Sequence, residues 1–199
     1  MRSLMPLILD HLAVACTDLT EGTAWVEAQL GVKMQLGGQH VRYGTHNTLL
    51  GLGDIYLEVI APDPEAAPFK GPRWFGLDTF TGSPRPANWI CQTEHFDPIA
   101  GPPVALTRGD LAWELSVPED GSLPFAGAYP TLIQWKEGVH PAKRLPESGC
   151  RLTNFTVSSP EAEKVRAMID LPDARVRFVN GPAGFSATFE TSAGPRTLS

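Results

Sequence analysis

His11 and Glu58 are the two residues of this sequence whose types and positions first suggest chemistry. Each interrupts an otherwise apolar run of strand character. A carboxylate is costly to bury unless it is paired or bound to a cation. Imidazole nitrogen and carboxylate oxygen are ordinary metal ligands, so the pair predicts part of a metal site. Two ligands fall short of the usual three or four, and a hydrogen-bonded core pair or a solvated Glu58 stays an open alternative.

Strand alternation predicts that both side chains point into one cavity, because successive residues face opposite sides of a sheet. In the first strand, one face would carry Leu9, His11 and Ala13, and the helix-side face would carry Ile8, Leu12 and Val14. In the later strand, Tyr56, Glu58 and Ile60 would share a face, opposite Ile55, Leu57 and Val59.

The elements that must position these residues form a β-α-β-β-β unit over about residues 7–62. Strands are expected at 7–15, 32–36, 47–52 and 54–60, with a helix at 22–30. Thr17 to Glu21 supply capping residues and an acidic first turn, and Gly31 stands where a helix ends.

A related unit recurs along the chain. LDHLAVACTDL and LTNFTVSSPEA share spacing and apolar parity, with Asn154 at the position of His11. We expect a connector at 63–86, a degraded second module at about 87–136, which has room for only a stunted helix, and a third β-α-β-β unit at about 151–199. Residues 1–199 would form one domain of α and β elements.

Composition excludes several classes of protein. The net charge is −6 and the basic residues are scattered, which argues against a nucleic-acid partner. No apolar stretch is long enough for a membrane helix, and the first residues resemble a strand more than a signal peptide. Three widely spaced cysteines favour a reduced, cytoplasmic protein.

The motifs resemble the vicinal oxygen chelate superfamily, and more narrowly its glyoxalase-like domain family. The resemblance rests on DHLAVA, YGTHNTLLGLG, YLEVIAPDP, RWFGLD, LIQW and HPA, in this order. It implies an α+β fold of repeated βαβββ modules, whose mixed sheet curls into a cup with helices on its outer face. It also implies metal ligands from the first and last strands of two modules. His11 and Glu58 match the first pair. The second pair is incomplete, because Trp89 or Asn154 stands at one position and Gln134 at the other.

Other side chains are candidates for the same site. His140 would complete the metal ligands with Gln134, and His46 would be catalytic with Glu58; either His could equally be structural. Arg73, Trp74, Arg108, Trp113 and Tyr56 would bind an anionic or planar substrate, although the tryptophans could instead be core residues. His40 and His95 are expected in loops and are given no role.

The leading functional hypothesis is a metal-dependent lyase or isomerase that acts on a small oxygenated organic molecule. The divalent ion would be Zn, Fe, Mn or Ni and would stabilise an oxyanion. Dioxygenase chemistry is less favoured, and no motif for a nucleotide cofactor is present. The alternative is a metal-free protein of the same fold that sequesters a small molecule; a purely structural module is a third. A homodimer is compatible with the superfamily.

Overall fold

The computed structural model describes residues 6–68 and 70–199 of the chain. The first part forms four strands and a helix: β1 (Ile8–Ala15), α1 (Leu19–Leu30), β2 (Gln35–His40), β3 (Thr45–Gly51) and β4 (Tyr56–Pro62). Asp18 caps α1 by accepting a hydrogen bond from the Glu21 amide, and Gly31 ends it in the left-handed region at φ 72°. β1 pairs with β4 in parallel, so the strands that carry His11 and Glu58 are neighbours.

The second part adds four strands to the same sheet: β5 (Arg85–Gln92), β6 (Pro103–Arg108), β7 (Leu111–Ser116) and β8 (Thr131–Glu137). The short helix α2 (Pro141–Arg144) follows. The strand order β2-β3-β4-β1-β5-β8-β7-β6 joins the halves through β1 and β5. Between β5 and β6, where the first half would have its helix, the chain makes only one 3₁₀ turn at Pro98–Ala100.

A second, four-stranded sheet covers the outer face of β5. Its strands are β9 (Arg151–Ser159), β10 (Val176–Asn180), β11 (Gly184–Thr191) and β12 (Gly194–Leu198), in the order β10-β9-β11-β12. The helix α3 (Ala162–Met168) lies between β9 and β10 in the chain. Trp89 of β5 packs against Phe155 and Phe178 of this sheet, with ring centroids 5.7 and 5.9 Å apart. The C-terminal sheet therefore buries the apolar face that the missing helix would otherwise cover.

Two apolar cores follow from this arrangement. One lies between the eight-stranded sheet and the elements on its outer side, and it includes Leu12, Val26, Trp89 and Phe155. The other lies inside the curved sheet and includes Ala13, Ile60, Ile90, Trp113 and Ile133. The predicted cup-shaped mixed sheet of α+β class, with helix packing outside, is confirmed.

Several boundaries differ from the prediction. β2 lies at Gln35–His40 and not at 32–36, so His40 belongs to a strand and the expectation of a loop was wrong. β12 was not predicted, because of its residues only Leu198 is buried. The grouping of residues 1–199 into one domain of three modules stays a prediction. Within the described residues, no helix has the length and apolar character needed to cross a bilayer.

Candidate active site

A cavity lies inside the curve of the eight-stranded sheet. Both halves of the sheet contribute to its wall. The lining side chains are mostly apolar or aromatic, with a few polar groups among them: His11, His40, Asn47, Leu49, Tyr56, Glu58, Trp74, Phe75, Arg108, Trp113, Leu115, Ile133 and Trp135. A concave apolar site with a few converging polar groups is typical of small-molecule binding.

His11 and Glu58 meet at this wall. His11 Nε2 lies 3.7 Å from Glu58 Oε2, and both side chains are buried. The other carboxylate oxygen, Oε1, accepts a hydrogen bond from Asn47 Nδ2 at 2.6 Å. The Tyr56 ring stacks on the His11 imidazole with centroids 4.3 Å apart, which fixes the plane of the imidazole.

A β-bulge at Asp10 reverses the side of the sheet that the residues of β1 before it face. Leu9 pairs with Cys91 and His11 pairs with Ile90, so Asp10 is the extra residue. Leu9 consequently packs in the outer core with Leu12 and not beside His11, and the parity predicted for Leu9 was wrong. Ile8, expected on the helix side, is 61% exposed.

The bulge brings the Asp10 carboxylate to His11 and buries it completely. Oδ1 accepts a hydrogen bond from His11 Nδ1 at 2.5 Å. Oδ2 accepts from Gln92 Nε2 at 2.7 Å, Trp135 Nε1 at 2.9 Å and His140 Nε2 at 2.8 Å. Four donors satisfy this carboxylate, which in turn leaves only Nε2 of His11 facing the cavity.

The protonation states follow from these contacts. Burial alone would lower the pKa of His11, but the hydrogen bond to Asp10 and the contact with Glu58 raise it to about 9. Burial alone would raise the pKa of Glu58, yet His11, with smaller contributions from His40 and Asn47, lowers it to about 2. Burial alone would raise the pKa of Asp10, but the contacts with His11 and His140 lower it, and the net effect is a lowered pKa. At neutral pH an imidazolium therefore lies between two carboxylates.

A second polar group lies on the other side of Asn47. Asn47 Oδ1 accepts a hydrogen bond from the Gly38 amide at 2.8 Å and lies 3.4 Å from an Nη1 donor of Arg108. The same Nη1 lies 3.3 Å from His40 Nε2. Burial, with help from Arg108 and against the field of Glu58, lowers the pKa of His40 to about 4. His40 is thus neutral, and because its Nε2 accepts from Arg108, its Nδ1 carries the hydrogen and donates to Thr45 Oγ1 at 3.1 Å.

Trp74 closes the cavity on a third side. Its ring is stacked between Tyr43 and Phe75, with centroids 4.4 and 4.9 Å apart. Phe75 holds φ 59°, a left-handed conformation that is unusual for an aromatic residue. Within the described part of the chain, Trp74 Nε1 is the buried side-chain polar atom that has no hydrogen-bond partner.

The structure does not bring all the predicted site residues together. Asn47 and Leu49 of β3 line the cavity, so His46, which alternates with them, faces the other side of the sheet. Its Nδ1 lies 3.9 Å from Asp63 Oδ1. Gln134 donates to the backbone carbonyls of Thr93 and Glu94. Arg73 binds Asp78 at 2.7 Å and does not line the cavity.

His140 reaches the site only through Asp10. Its Nδ1 accepts from the Ala142 amide at 3.2 Å as the cap of α2, and its Nε2 donates to Asp10. Both ring nitrogens are therefore engaged. Tyr56, Trp74, Arg108 and Trp113 do line the cavity, as expected of substrate-binding residues. Their roles stay predictions.

Three residues of the site were missed by the sequence reasoning. Asp10 precedes His11, and a charged pair inside an apolar strand is the signal that points to it. Asn47 follows His46 in the motif YGTHN, and it is Asn47 that lines the cavity; the catalytic role of His46 stays a prediction. His40 was assigned to a loop.

The donor set does not fit a complete metal centre. His11 Nε2 and Glu58 Oε2 are two candidate ligands, while His140 and Gln134 bind other groups. Asn47 Oδ1 and His40 Nε2 already accept hydrogen bonds. Among the residues that the structure describes, no group of three or more His, Cys, Asp and Glu side chains is placed to hold a metal ion. Protein-bound metals ordinarily need three or four such ligands.

Comparison with known sequences identifies the family. The family model described as "Glyoxalase-like domain" matches residues 9–171, and the chain belongs to this family. The fold places it in the vicinal oxygen chelate superfamily. No curated protein matches the chain in sequence.

Solved structures are similar to this chain at low sequence identity. A hypothetical protein from Staphylococcus aureus superposes with a TM-score of 0.62 and 15% identity, covering 90% of this chain and 88% of that chain. A methylmalonyl-CoA epimerase in complex with methylmalonyl-CoA gives a TM-score of 0.42 and 16% identity, covering 65% and 94%. The methylmalonyl-CoA epimerase from Mycobacterium tuberculosis gives 0.41 and 18%, covering 72% and 96%.

Proposed function

We propose that this chain is an enzyme of the isomerase or lyase type that moves a proton on a small oxygenated organic molecule bound in the cup. One observation carries the proposal. A buried imidazolium and a buried carboxylate lie 3.7 Å apart at the wall of a cavity. Both are in the charge state that an acid and a base need at neutral pH, since the pKa of His11 is about 9 and that of Glu58 about 2.

In this proposal Glu58 removes a proton from a carbon next to a carbonyl group, and His11 donates a hydrogen bond to the carbonyl oxygen. The pKa of Glu58 is low mainly because His11 contacts it. A substrate oxygen that takes this contact would leave a buried carboxylate whose burial raises its pKa, so Glu58 becomes a stronger base when substrate is bound. Return of the proton at a different position or face gives an isomerase; loss of a neighbouring group gives a lyase.

Metal dependence is left out of this proposal because the donors around His11 and Glu58 fall short of a ligand set. Asp10 holds His11 Nδ1, so the chain itself supplies the charge that keeps the imidazole protonated. A reducing setting is part of the proposal, and it rests on Cys16, Cys91 and Cys150, which are free thiols.

Hydrogen exchange with heavy water tests the proposal with simple carbonyl compounds as probes. Purified protein is incubated in D₂O with 2-oxobutyrate, phenylpyruvate and related carbonyl compounds, and loss of the C–H signal is followed by NMR. Glu58→Gln and His11→Asn are each expected to reduce exchange by about 100- to 10,000-fold, because each removes one proton-transfer group. Glu137→Gln, an exposed residue of β8, is the matched control and should keep the rate. EDTA and added Zn²⁺ or Mn²⁺ should leave the rate unchanged.

The alternative of a small-molecule binding protein gives a different result. Binding of the same compounds without any exchange by the wild type would overturn the enzyme proposal. Exchange that disappears with EDTA and returns with one metal ion would overturn the acid–base mechanism and restore metal dependence.

A further inference from the structure

Arg108 lines the cavity and has no carboxylate partner among the described residues. Among the described residues, no Asp or Glu oxygen lies within 4.0 Å of its guanidinium. By contrast, a carboxylate contacts each of Arg73, Arg144, Arg151 and Arg175. A half-buried cation without an anion is costly unless something else compensates it.

The contacts that Arg108 does make are weak. Nη1 lies 3.3 Å from His40 Nε2 and 3.4 Å from Asn47 Oδ1, both longer than a strong charge-assisted hydrogen bond. His40 is neutral, because the pKa of its imidazole is about 4. The remaining guanidinium donors, Nε and Nη2, bind no acceptor within the described part of the chain.

Two glycines of β2 leave space for the side chains of Arg108 and Asn47. Arg108 comes from β6, the last strand of the sheet, and crosses to the opposite edge at β2. A Cβ at Gly38 would lie 2.9 Å from Arg108 Cδ, so a larger residue at this position would displace the Arg108 side chain from its present path. The neighbouring Gly37 leaves the room that Asn47 Oδ1 occupies. Two consecutive glycines in a strand otherwise weaken it, which indicates close approach of other groups at this point.

The rest of the wall suits an apolar body. Leu49, Leu115, Ile133, Phe75, Trp113 and Trp135 line the same cavity as the guanidinium and the His11–Glu58 pair. Trp74, also in the wall, carries the indole N–H that has no partner among the described residues. A polar oxygen at that end would satisfy donors that the protein leaves unpaired.

We propose that this end of the cavity binds the carboxylate of a small organic acid, with Arg108 as its charged partner. The inference rests on the proposed function, since it places the acid's carbonyl-bearing carbon near Glu58. A monoanion fits better than a phosphate, because Arg108 is the one arginine among the described residues that lines the cavity, and the Glu58 carboxylate in the same wall repels additional negative charge.

Binding of matched probes tests the inference. Phenylacetate and isovalerate are compared with phenylacetamide and isovaleramide by calorimetric or NMR titration, since each pair differs in charge but hardly in size. The wild type should bind each acid about tenfold or more tightly than its amide, because only the acid forms a charge-assisted contact. Arg108→Met should abolish this preference, and Arg108→Lys should retain part of it. The control Arg196→Met changes an exposed residue of β12 and should leave the preference unchanged.

Three results would overturn the inference: equal affinity for acids and amides, a preference that survives in Arg108→Met, or no binding of either acid. Tighter binding of phenyl phosphate than of phenylacetate would replace the carboxylate with a phosphate. If Arg108→Met does not fold, the wild-type preference and the Arg108→Lys titration decide. Acid-selective binding without proton exchange would uphold this inference and overturn the enzyme proposal, whereas exchange without acid preference would do the reverse.

Discussion

The two halves of the eight-stranded sheet have different parts in the site. The first half, β1 to β4, carries His11, Asn47 and Glu58, together with the Asp10 carboxylate behind them. Its outer face packs on α1, in the pattern expected of a complete βαβββ module.

The second half, β5 to β8, supplies shape and support. Its strands β7 and β8 present Trp113, Leu115, Ile133 and Trp135 to the cavity. Gln92, Trp135 and His140, from β5, β8 and the cap of α2, donate to Asp10 and so stabilise a group of the first half. The position that matches His11 is Trp89, which faces the outer core, 0% exposed.

Within the described residues, the first half presents His11 and Glu58 to the cavity, and the second half presents no matching pair. A module that loses its ligands and its helix can still close the cup if another element covers its outer face. The C-terminal sheet covers the outer face of β5. The inner side of the second half holds Asp10 and encloses the cavity.

The link between the halves is Asp10, and Asp10→Asn is the change with the largest expected effect. It removes one of the two carboxylate contacts that raise the pKa of His11, so this pKa should fall, with Glu58 alone left to oppose the effect of burial. In the exchange assay we expect a loss of about 100-fold or more, and the alkaline limit of the rate should move from about pH 9 towards 6.5. Asp170→Asn, on the exposed turn after α3, is the matched control.

A role of Asp10 in folding alone would lower the rate without moving the pH limit. The pH profile of the folded variant therefore separates positioning from stability. If the pH–rate profile of Asp10→Asn is identical to that of the wild type, the proposal that Asp10 sets the protonation of His11 is wrong.

The first half was predictable because its signals are local. Alternation in β1 and β4 brought His11 and Glu58 to one cavity, and Asp18 and Gly31 marked the ends of α1. The bulge at Asp10 was not predictable, because an extra residue in β1 is defined only by its pairing with β5. The position of Asn47 in the cavity was not predictable for a related reason: both faces of β3 carry leucine, so alternation alone does not tell which face is inside.

The second half depends on contacts that are distant in sequence. Arg108 reaches the cavity only because the sheet curves until β6 approaches β2, and no local pattern reports that curvature. The position of His140 is set by Asp10, a residue far along the chain, which binds its Nε2, and the ligand role of His140 stays a prediction. The packing of the sheet β9 to β12 on β5 also depends on contacts distant in sequence. The sequence shows the apolar residues of these strands but not the surface against which they pack.

A smaller effect is expected on stability, and it should be confined to the first half. The folded-state pKa of His11 is raised from 6.5 to about 9, so its contribution is complete below pH 6.5 and is lost as the pH rises through 9. The pKa of Glu58 is lowered from 4.5 to about 2, so its contribution is present above pH 4.5 and is lost as the pH falls towards 2. Urea denaturation of the wild type should show a loss on the order of 3 kcal/mol between pH 6.5 and pH above 9.

His11→Gln should remove this alkaline loss, while His95→Gln, an exposed histidine, should retain it. The charged or titratable groups that face this cluster are Asp10, Glu58, His40, Tyr56, His140 and Arg108. The folded-state pKa values of Asp10, Glu58 and His40 are all lowered, so these three groups keep their charge states across the alkaline range. A loss of equal size in both variants would assign the pH dependence to another part of the molecule.

The smallest effect should come from the outer face of the second half. Trp89→Phe removes the hydrogen bond from Nε1 to the Gly127 carbonyl at 3.0 Å and part of the packing against Phe155. We expect a loss of about 1–3 kcal/mol in the free energy of unfolding, measured by urea denaturation, with acid-over-amide preference unchanged. Val26→Ala in α1 makes the corresponding change behind the first half and should have a similar cost. Because Trp89 lies behind the sheet, a change in ligand preference in its variant alone would mean that the C-terminal sheet shapes the cavity as well as covering it.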